Sequence, residues 1–467
     1  MPRLIILFCL TLSLEAKADL AFDIRSRVDG IVSKSNIKKS ELGMFVSDAK
    51  DNVYFTLNAE KRFIPASITK LLTTAAVMNE LHADYKFHTL LYVDGVQTGQ
   101  TLKGNIYLKG GGDPAFVSEK MWMLVDEFLR TGIKKVTGSI YVDDSYFDDE
   151  RFDKGRESDR NDRAYDAPVG GLSFNWNSTM IFIRPGKAVG DKAGVFIDPE
   201  NDYVELINKV TTSRVGTDLT ATKMDKKDKN TIVVSGKIAV DASEHHIYKN
   251  ISDPALYAGN CLIKFLHERG VQIEGIPKRQ GVPGNARLAV DQKGEPLGRE
   301  ITDMNKFSNN FVAEMLAKNL GAVKKNGQGR MQDGVEQVRS FLERELSWKP
   351  AEFNLANVSG FTRKNSFTAS QFVSLLQWIQ GQFRIYPEIL QSLPIAGVDG
   401  TLEKRMKGTP GEGWVRAKTG LLNGVVALSG FAGRPGNVLM FAFIYNGPGD
   451  EAHVRSTFDA AAASLVQ

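Results

Sequence analysis

The chain has 467 residues, 42% hydrophobic, 24% charged and 9% aromatic. These are the proportions of a globular protein and exclude a disordered chain or a fibrous repeat. At roughly 100–200 residues per domain there is room for two to four domains and a sizeable core. Net charge is only +4, with Lys and Arg scattered along the chain, which argues against nucleic acid as a partner.

Met1-Pro-Arg3 opens the chain with positive charge. The apolar run Leu4 to Leu14 that follows is too short to span a bilayer, and Ala16-Lys17-Ala18 supplies small residues for cleavage. Residues 1–18 therefore read as a secretory signal peptide. Its loss removes Lys17, Arg3 and Glu15, which takes the net charge to +3, and it also removes Cys9. Cys261 is then the sole cysteine, so the exported chain has no internal disulfide to rely on. Cys261 lies in the apolar helical stretch Cys261 to Leu266 and reads as a buried small hydrophobe. No later run is long enough to cross a membrane. The best, Val438 to Tyr445, has strand length.

Residues 41–58 predict a hairpin, Leu42 to Val46 and Val53 to Leu57 around a polar turn at Asp48 to Asn52. Residues 68–82 predict a helix with Leu71, Leu72, Ala75, Ala76 and Met78 on a broad apolar face. From 86 to 255 short β-type runs alternate with Gly and Asp clusters, as in Asn105 to Lys109, Ser139 to Val142, Met180 to Arg184 and Thr231 to Ser235. Pro283-Gly-Asn-Ala286 marks the end of this middle region. From about 300 the pattern is helical, and the chain closes with strands over 414–420, 424–432 and 437–445. A last helix over 450–465 follows, with Asp450 as N-cap.

Three short motifs carry chemistry. In Pro65-Ala-Ser67-Ile-Thr-Lys70, serine and lysine three apart at a helix start put the amine beside the hydroxyl, so a desolvated lysine can deprotonate Ser67. The same spacing at Ser35 to Lys38 has no apolar helix after it and reads as accidental. Lys418-Thr419-Gly420 ends a predicted strand, whose edge suits an extended peptide bearing a carboxylate; Gly420 permits close backbone approach. A Ser-x-Asn pattern occurs both at Ser173-Phe-Asn175, in a predicted loop, and at Ser308-Asn-Asn310, which opens a predicted helix. The six histidines have no metal-ligand spacing, and adjacent His245 and His246 on a strand point to opposite faces. Gly110-Gly-Gly112 reads as a tight turn, and Asp148-Asp-Glu150 as a solvated loop. No Gly-x-Ser-x-Gly elbow is present.

In the order Ser-x-x-Lys, Ser-x-Asn, Lys-Thr-Gly, the set resembles the penicillin-binding proteins and serine β-lactamases. Within these it resembles the class C low-molecular-mass penicillin-binding proteins, the D-alanyl-D-alanine carboxypeptidase/endopeptidase group of the penicillin-binding protein 4 type. The likeness extends over Pro65 to Ala75, Leu108 to Pro114, Asn305 to Asn310, Ser359-Gly360 with Arg363, Leu393 to Leu402 and Ala417 to Gly420. Ser308 lies 241 residues after Ser67, leaving room for the family's two inserted domains, whereas Ser173 lies only 106 after it. The resemblance thus selects Ser308.

It implies an α/β domain of the serine β-lactamase/DD-peptidase type, an antiparallel sheet flanked by helices, with two β-rich domains inserted between the first and second motifs. The expected division is a catalytic part over 19–85, inserted domain II over 86–181 and 255–290, inserted domain III over 182–254, and the second catalytic part over 291–467. By the same resemblance Ser67 is the nucleophile and Lys70 the base. Ser308 and Lys418 relay the proton, Asn310 holds the substrate amide, and Lys418 and Thr419 bind the terminal carboxylate. The oxyanion hole uses the backbone N–H groups of Ser67 and of Leu421, after Gly420. Arg363, Asn423 and Asp143 or Asp144 are expected near the substrate side chain. No glutamate is assignable as a deacylating base, so penicillin is expected to leave slowly.

The implied partners are peptidoglycan peptides and, as inhibitors, β-lactams, with no cofactor, no metal and no nucleic acid. The implied location is the periplasm, or the wall or medium of a cell without an outer membrane, with no transmembrane anchor in the mature chain. The rival readings are a β-lactamase or esterase using the same serine and a non-catalytic wall-binding protein.

Overall fold

The structure, a computed structural model, describes residues 21–156 and 161–466. The predicted signal peptide and Cys9 lie outside the described residues.

The last three strands of the chain and the N-terminal hairpin form one antiparallel sheet. Its order is Val415–Leu422, Val425–Arg434, Asn437–Asn446, Leu42–Ser47 and Val53–Leu57. Alternate side chains leave opposite faces of a strand, and here both faces are covered. Met440, Ala442 and Ile444 pack into a helical core that includes Leu71, Leu72 and Leu316. Leu439, Phe441, Phe443 and Tyr445 meet the helix over 21–34 and the C-terminal helix Glu451–Ala463. This two-sided burial explains why Val438 to Tyr445 is an uninterrupted apolar run. Asp450 caps the C-terminal helix, accepting from Ala452 N at 2.9 Å.

The chain leaves this domain at Lys86 and returns at Pro296. The strands that do so, Lys86–Val93 and Arg287–Pro296, pair antiparallel, so exit and re-entry lie side by side. They belong to a mixed five-stranded sheet with Ile106–Gly110, Ile140–Asp143 and Lys278–Arg279. Two three-stranded sheets follow, centred on Ser178–Arg184 and Lys229–Ala239. Ile181, Val210 and Ile232 share one apolar core with Leu91, Ile106 and Cys261.

Several expectations are corrected. The divisions at 181/182 and 290/291 cut continuous strands, because pairing carries Ser178–Arg184 and Arg287–Pro296 through them. Pairing with Lys86–Val93 thus runs on past the Pro283 turn as far as Pro296. The β-rich middle also contains a helix, Ser118–Leu129, which buries Met121, Leu124, Val125 and Phe128. The acidic stretch Asp148 to Glu150 is not merely a solvated loop. Asp148 and the Glu150 carbonyl accept from Lys318 Nζ at 2.5 and 2.8 Å, and the Lys318 side chain is fully buried. This clamp ties the segment after Asp143 to the helix Asn310–Lys325.

Removing one partner of a buried ion pair strands the other, at a cost of about 3–5 kcal/mol. Asp148→Ala is therefore expected to lower the urea midpoint of unfolding with an unchanged slope, as read by tryptophan fluorescence.

Candidate active site

Ser67 lies in a 3₁₀ turn, Ala66–Thr69, that runs directly into the helix Lys70–Leu81. Ile68, Leu71, Leu72 and Ala75 are fully buried and anchor the segment. Lys70 is also fully buried, and its Nζ lies 3.1 Å from Ser67 Oγ. It donates to Asn310 Oδ1 at 2.7 Å and to the Ser359 carbonyl at 2.5 Å. Burial, then the neighbouring Lys418 cation, push the Lys70 amine well below the ordinary lysine value. This is a lysine suited to take a proton from a serine.

Ser308 does not open the helix as expected. It sits in the turn before Asn310–Lys325 with φ +57°, and Asn309 is the cap, accepting from Val312 N at 3.3 Å. The left-handed backbone aims Ser308 Oγ at the sheet edge, where Lys418 Nζ donates to it at 2.8 Å. Lys418 is fully buried, which pushes its amine down to about 7. Thr419 Oγ1 donates to Thr401 Oγ1 at 2.9 Å. The strand carrying these residues is at the edge of the sheet, paired through Val425–Arg434 on one side.

Gly420 packs against the nucleophile turn. A Cβ there would come within 2.7 Å of the Pro65 carbonyl and 3.2 Å of Ser67 N. The strand segment around Gly420 thus runs close against the Ser67 backbone. The Leu421 side chain is exposed.

Arg363 donates to the Asn423 carbonyl in the turn that follows this strand, so these two residues meet at the end of the edge strand. Asp143 and Asp144 lie instead within the inserted unit. Asp143 accepts from Ser145 and from Val282 N, and Asp144 from Leu172 N while pairing with Arg151. Both are buried, and neither joins the hydrogen-bonded set around Ser67. The alternative Ser173 is a buried loop residue, bonded to the Gly170 carbonyl and the Asn177 amide.

Sequence reasoning missed the layer beneath Lys70. Ser359 presents its carbonyl because Asn357 Oδ1 accepts from both Ser359 N and Ser359 Oγ, at 3.0 and 2.7 Å. Gly360, at φ +79°, lets this loop pass the Ala66 carbonyl, which a Cβ would approach to 2.0 Å. The Ser359-Gly360 pair was the available signal.

The sequence matches the D-Ala-D-Ala carboxypeptidase 3 (S13) family over residues 24–466. The chain belongs to this family. It is similar to a D-alanyl-D-alanine carboxypeptidase of Actinomadura sp. (strain R39), 31% identical over 95% of this chain and 85% of the relative. It is also similar to D-alanyl-D-alanine carboxypeptidase DacB of Haemophilus influenzae, 24% identical over 84% and 82% of the two chains. The fold matches the crystal structure of penicillin binding protein 4 (dacB) from H. influenzae with TM-score 0.78, at 21% identity over 94% of this chain and 98% of the other. The architecture is thus the serine β-lactamase/DD-peptidase type with inserted β-rich units, and family membership favours the peptidase reading over an esterase, a β-lactamase or a pure binder. Among the described residues, no helix is long and apolar enough to cross a membrane.

A side chain at Gly420 would force the edge strand away from Ser67 N. Gly420→Val is expected to slow acylation about 10²–10³-fold, the usual cost of losing one oxyanion donor. Circular dichroism should stay as in the wild type while the rate of labelling by a fluorescent penicillin falls.

Proposed function

We propose that the chain is a serine D-Ala-D-Ala carboxypeptidase and endopeptidase that trims and opens peptidoglycan stem peptides through an acyl-enzyme on Ser67. The observation that carries this reading is the buried Lys70 amine 3.1 Å from Ser67 Oγ, joined through Asn310 to the second serine motif. Neutral Lys70 takes the Ser67 proton as Oγ attacks the carbonyl of the penultimate D-alanine. The tetrahedral oxyanion forms between the Ser67 and Leu421 N–H groups. The proton passes by way of Lys418 and Ser308 to the departing amine, giving free D-alanine or, from a cross-link, the acceptor strand. Water then releases the acyl group.

Lys418 and Thr419 receive the terminal carboxylate, and Asn310, whose Oδ1 is held by Lys70, turns its amide N–H toward the substrate. Arg363 and Asn423 border the far end of the edge strand, which supports a contact with the substrate side chain. The buried, partnered carboxylates of Asp143 and Asp144 favour a supporting role in the inserted unit. A β-lactam has the shape of the same acyl donor, and among the described residues no carboxylate is hydrogen-bonded to Ser67, so its adduct should be long-lived. The H. influenzae structure was also determined in complex with a β-lactam. The leader over 1–18 and a wall substrate fit export to the periplasm.

Incubation with muropeptides ending in D-Ala-D-Ala, followed by mass measurement, should show loss of D-alanine and cleavage of cross-linked dimers, and neither with Ser67→Ala. No change in mass with the wild type would overturn the reading.

The pH profile tests the two lysines separately. Lys70 must be neutral, so kcat/KM rises with pH through the depressed Lys70 value. Lys418 must be charged to hold a carboxylate, so kcat/KM falls again above about 7. A thioester substrate lacking the carboxylate should keep the rising limb and lose the falling one.

A further inference from the structure

Directly beneath Lys70 lies a chain of buried charge that the reaction as described leaves unused. Glu314, one turn into the helix that starts at Asn310, is fully buried. Its Oε1 accepts from Ser359 Oγ at 3.2 Å and from Asn357 Nδ2 at 3.4 Å, and lies 2.8 Å from Arg156 Nε. The Arg156 side chain is likewise fully buried and donates through Nη1 to Asp166 Oδ1 at 3.0 Å. Asn357 Nδ2 reaches Asp153 Oδ2 at 2.6 Å. Asp153, Arg156 and Asp166 all belong to the segment that leaves the strand Ile140–Asp143 and is clamped by Lys318.

We propose that Arg156 and Glu314 are positioning residues for acylation: together with Asn357 they fix the Ser359 carbonyl on which Lys70 rests, and so hold the base in register with Ser67. This rests on the reading of Lys70 as that base.

Burying an arginine and a glutamate without solvent is costly, and such a pair is a weak source of stability. Its geometry here has a directional use. Glu314 Oε1 meets Ser359 Oγ and Asn357 Nδ2 in the Ser359 loop and Arg156 Nε on its other side, and that loop supplies one of the three acceptors of Lys70 Nζ. The charged groups facing Lys70 are Lys418, Glu314 and Arg156. Glu314 favours the ammonium form of Lys70, and Arg156 and Lys418 oppose it. The segment from the inserted unit thereby enters the catalytic floor through one guanidinium. Packing of the inserted unit and proton affinity of the base are linked, although among the described residues the hydrogen-bond partners of Ser67 and Lys70 lie outside the inserted unit.

The test is the pH dependence of second-order acylation by a fluorescent penicillin, measured on the full chain. Glu314→Gln removes a charge that favours ammonium, so the rising limb should move to lower pH. Arg156→Met removes one that opposes it, so the limb should move to higher pH. Each displacement should be on the order of half a pH unit or more, in opposite directions. Limbs that stay in place, or that move together, would overturn the proposal, even if both variants are slower. Should either variant fail to fold, Ser359→Ala decides. It deletes the hydroxyl contacts to Glu314 and Asn357 and keeps every charge, and it should slow acylation about tenfold while circular dichroism at the assay temperature shows the wild-type fold. Acylation at the wild-type rate would then refute the role. Lys70→Ala separates the two levels: labelling of that variant at the wild-type rate would overturn the base assignment itself, whereas its loss beside unmoved limbs would overturn only the network.

Discussion

Holding a lysine amine out of water beside a serine hydroxyl is the constraint around which this molecule is organised. A buried ammonium is expensive unless acceptors surround it. Lys70 finds a hydroxyl, an amide oxygen and a backbone carbonyl, contributed by Ser67, Asn310 and Ser359. These come from three separated parts of the chain. Lys418 completes the arrangement from the sheet edge, raising the cost of a second positive charge and so favouring the neutral amine that the chemistry needs.

Meeting that constraint strains the backbone at two points. Ala66, just before the nucleophile, and Ser308 both have φ near +50 to +60°, where a side chain costs about 1–2 kcal/mol. Each is held by its surroundings. The Ala66 carbonyl accepts from Thr69 Oγ1 at 2.8 Å and lies against Gly360. Ser308 is held by Lys418 and by the capped helix that follows it. Small residues at 360 and 420 are thus conditions for the strained turns to persist.

Much of this was legible in the order of residues. The terminal strands, the nucleophile helix and the three motifs are local patterns, and each meets its partner in space. The helix Ser118–Leu129 was legible as well, since Met121, Leu124, Val125 and Phe128 have helical spacing, but the Gly- and Asp-rich texture around it hid that period. The extent of Arg287–Pro296 was hidden for a different reason: it is set by pairing with Lys86–Val93, and strand pairing is non-local. Arg156 and Glu314 carry no local signal at all. They are 158 positions apart in the chain, and only the fold brings an arginine from an acidic, exposed-looking stretch against Glu314 beneath Lys70.

The central strand of the sheet has a temporal consequence. Asn437–Asn446 hydrogen-bonds on one side to Val425–Arg434 and on the other to Leu42–Ser47. Segments about 400 residues apart therefore meet across it, and neither the hairpin Leu42 to Leu57 nor the Lys418 strand has a finished sheet until Asn437–Asn446 has been made. Contacts so distant in sequence form late and slowly. A nascent chain emerging from the ribosome carries Ser67 and Lys70 long before it can place Lys418 beside them, so this cluster is completed only after the strand Asn437–Asn446 has emerged and joined the sheet.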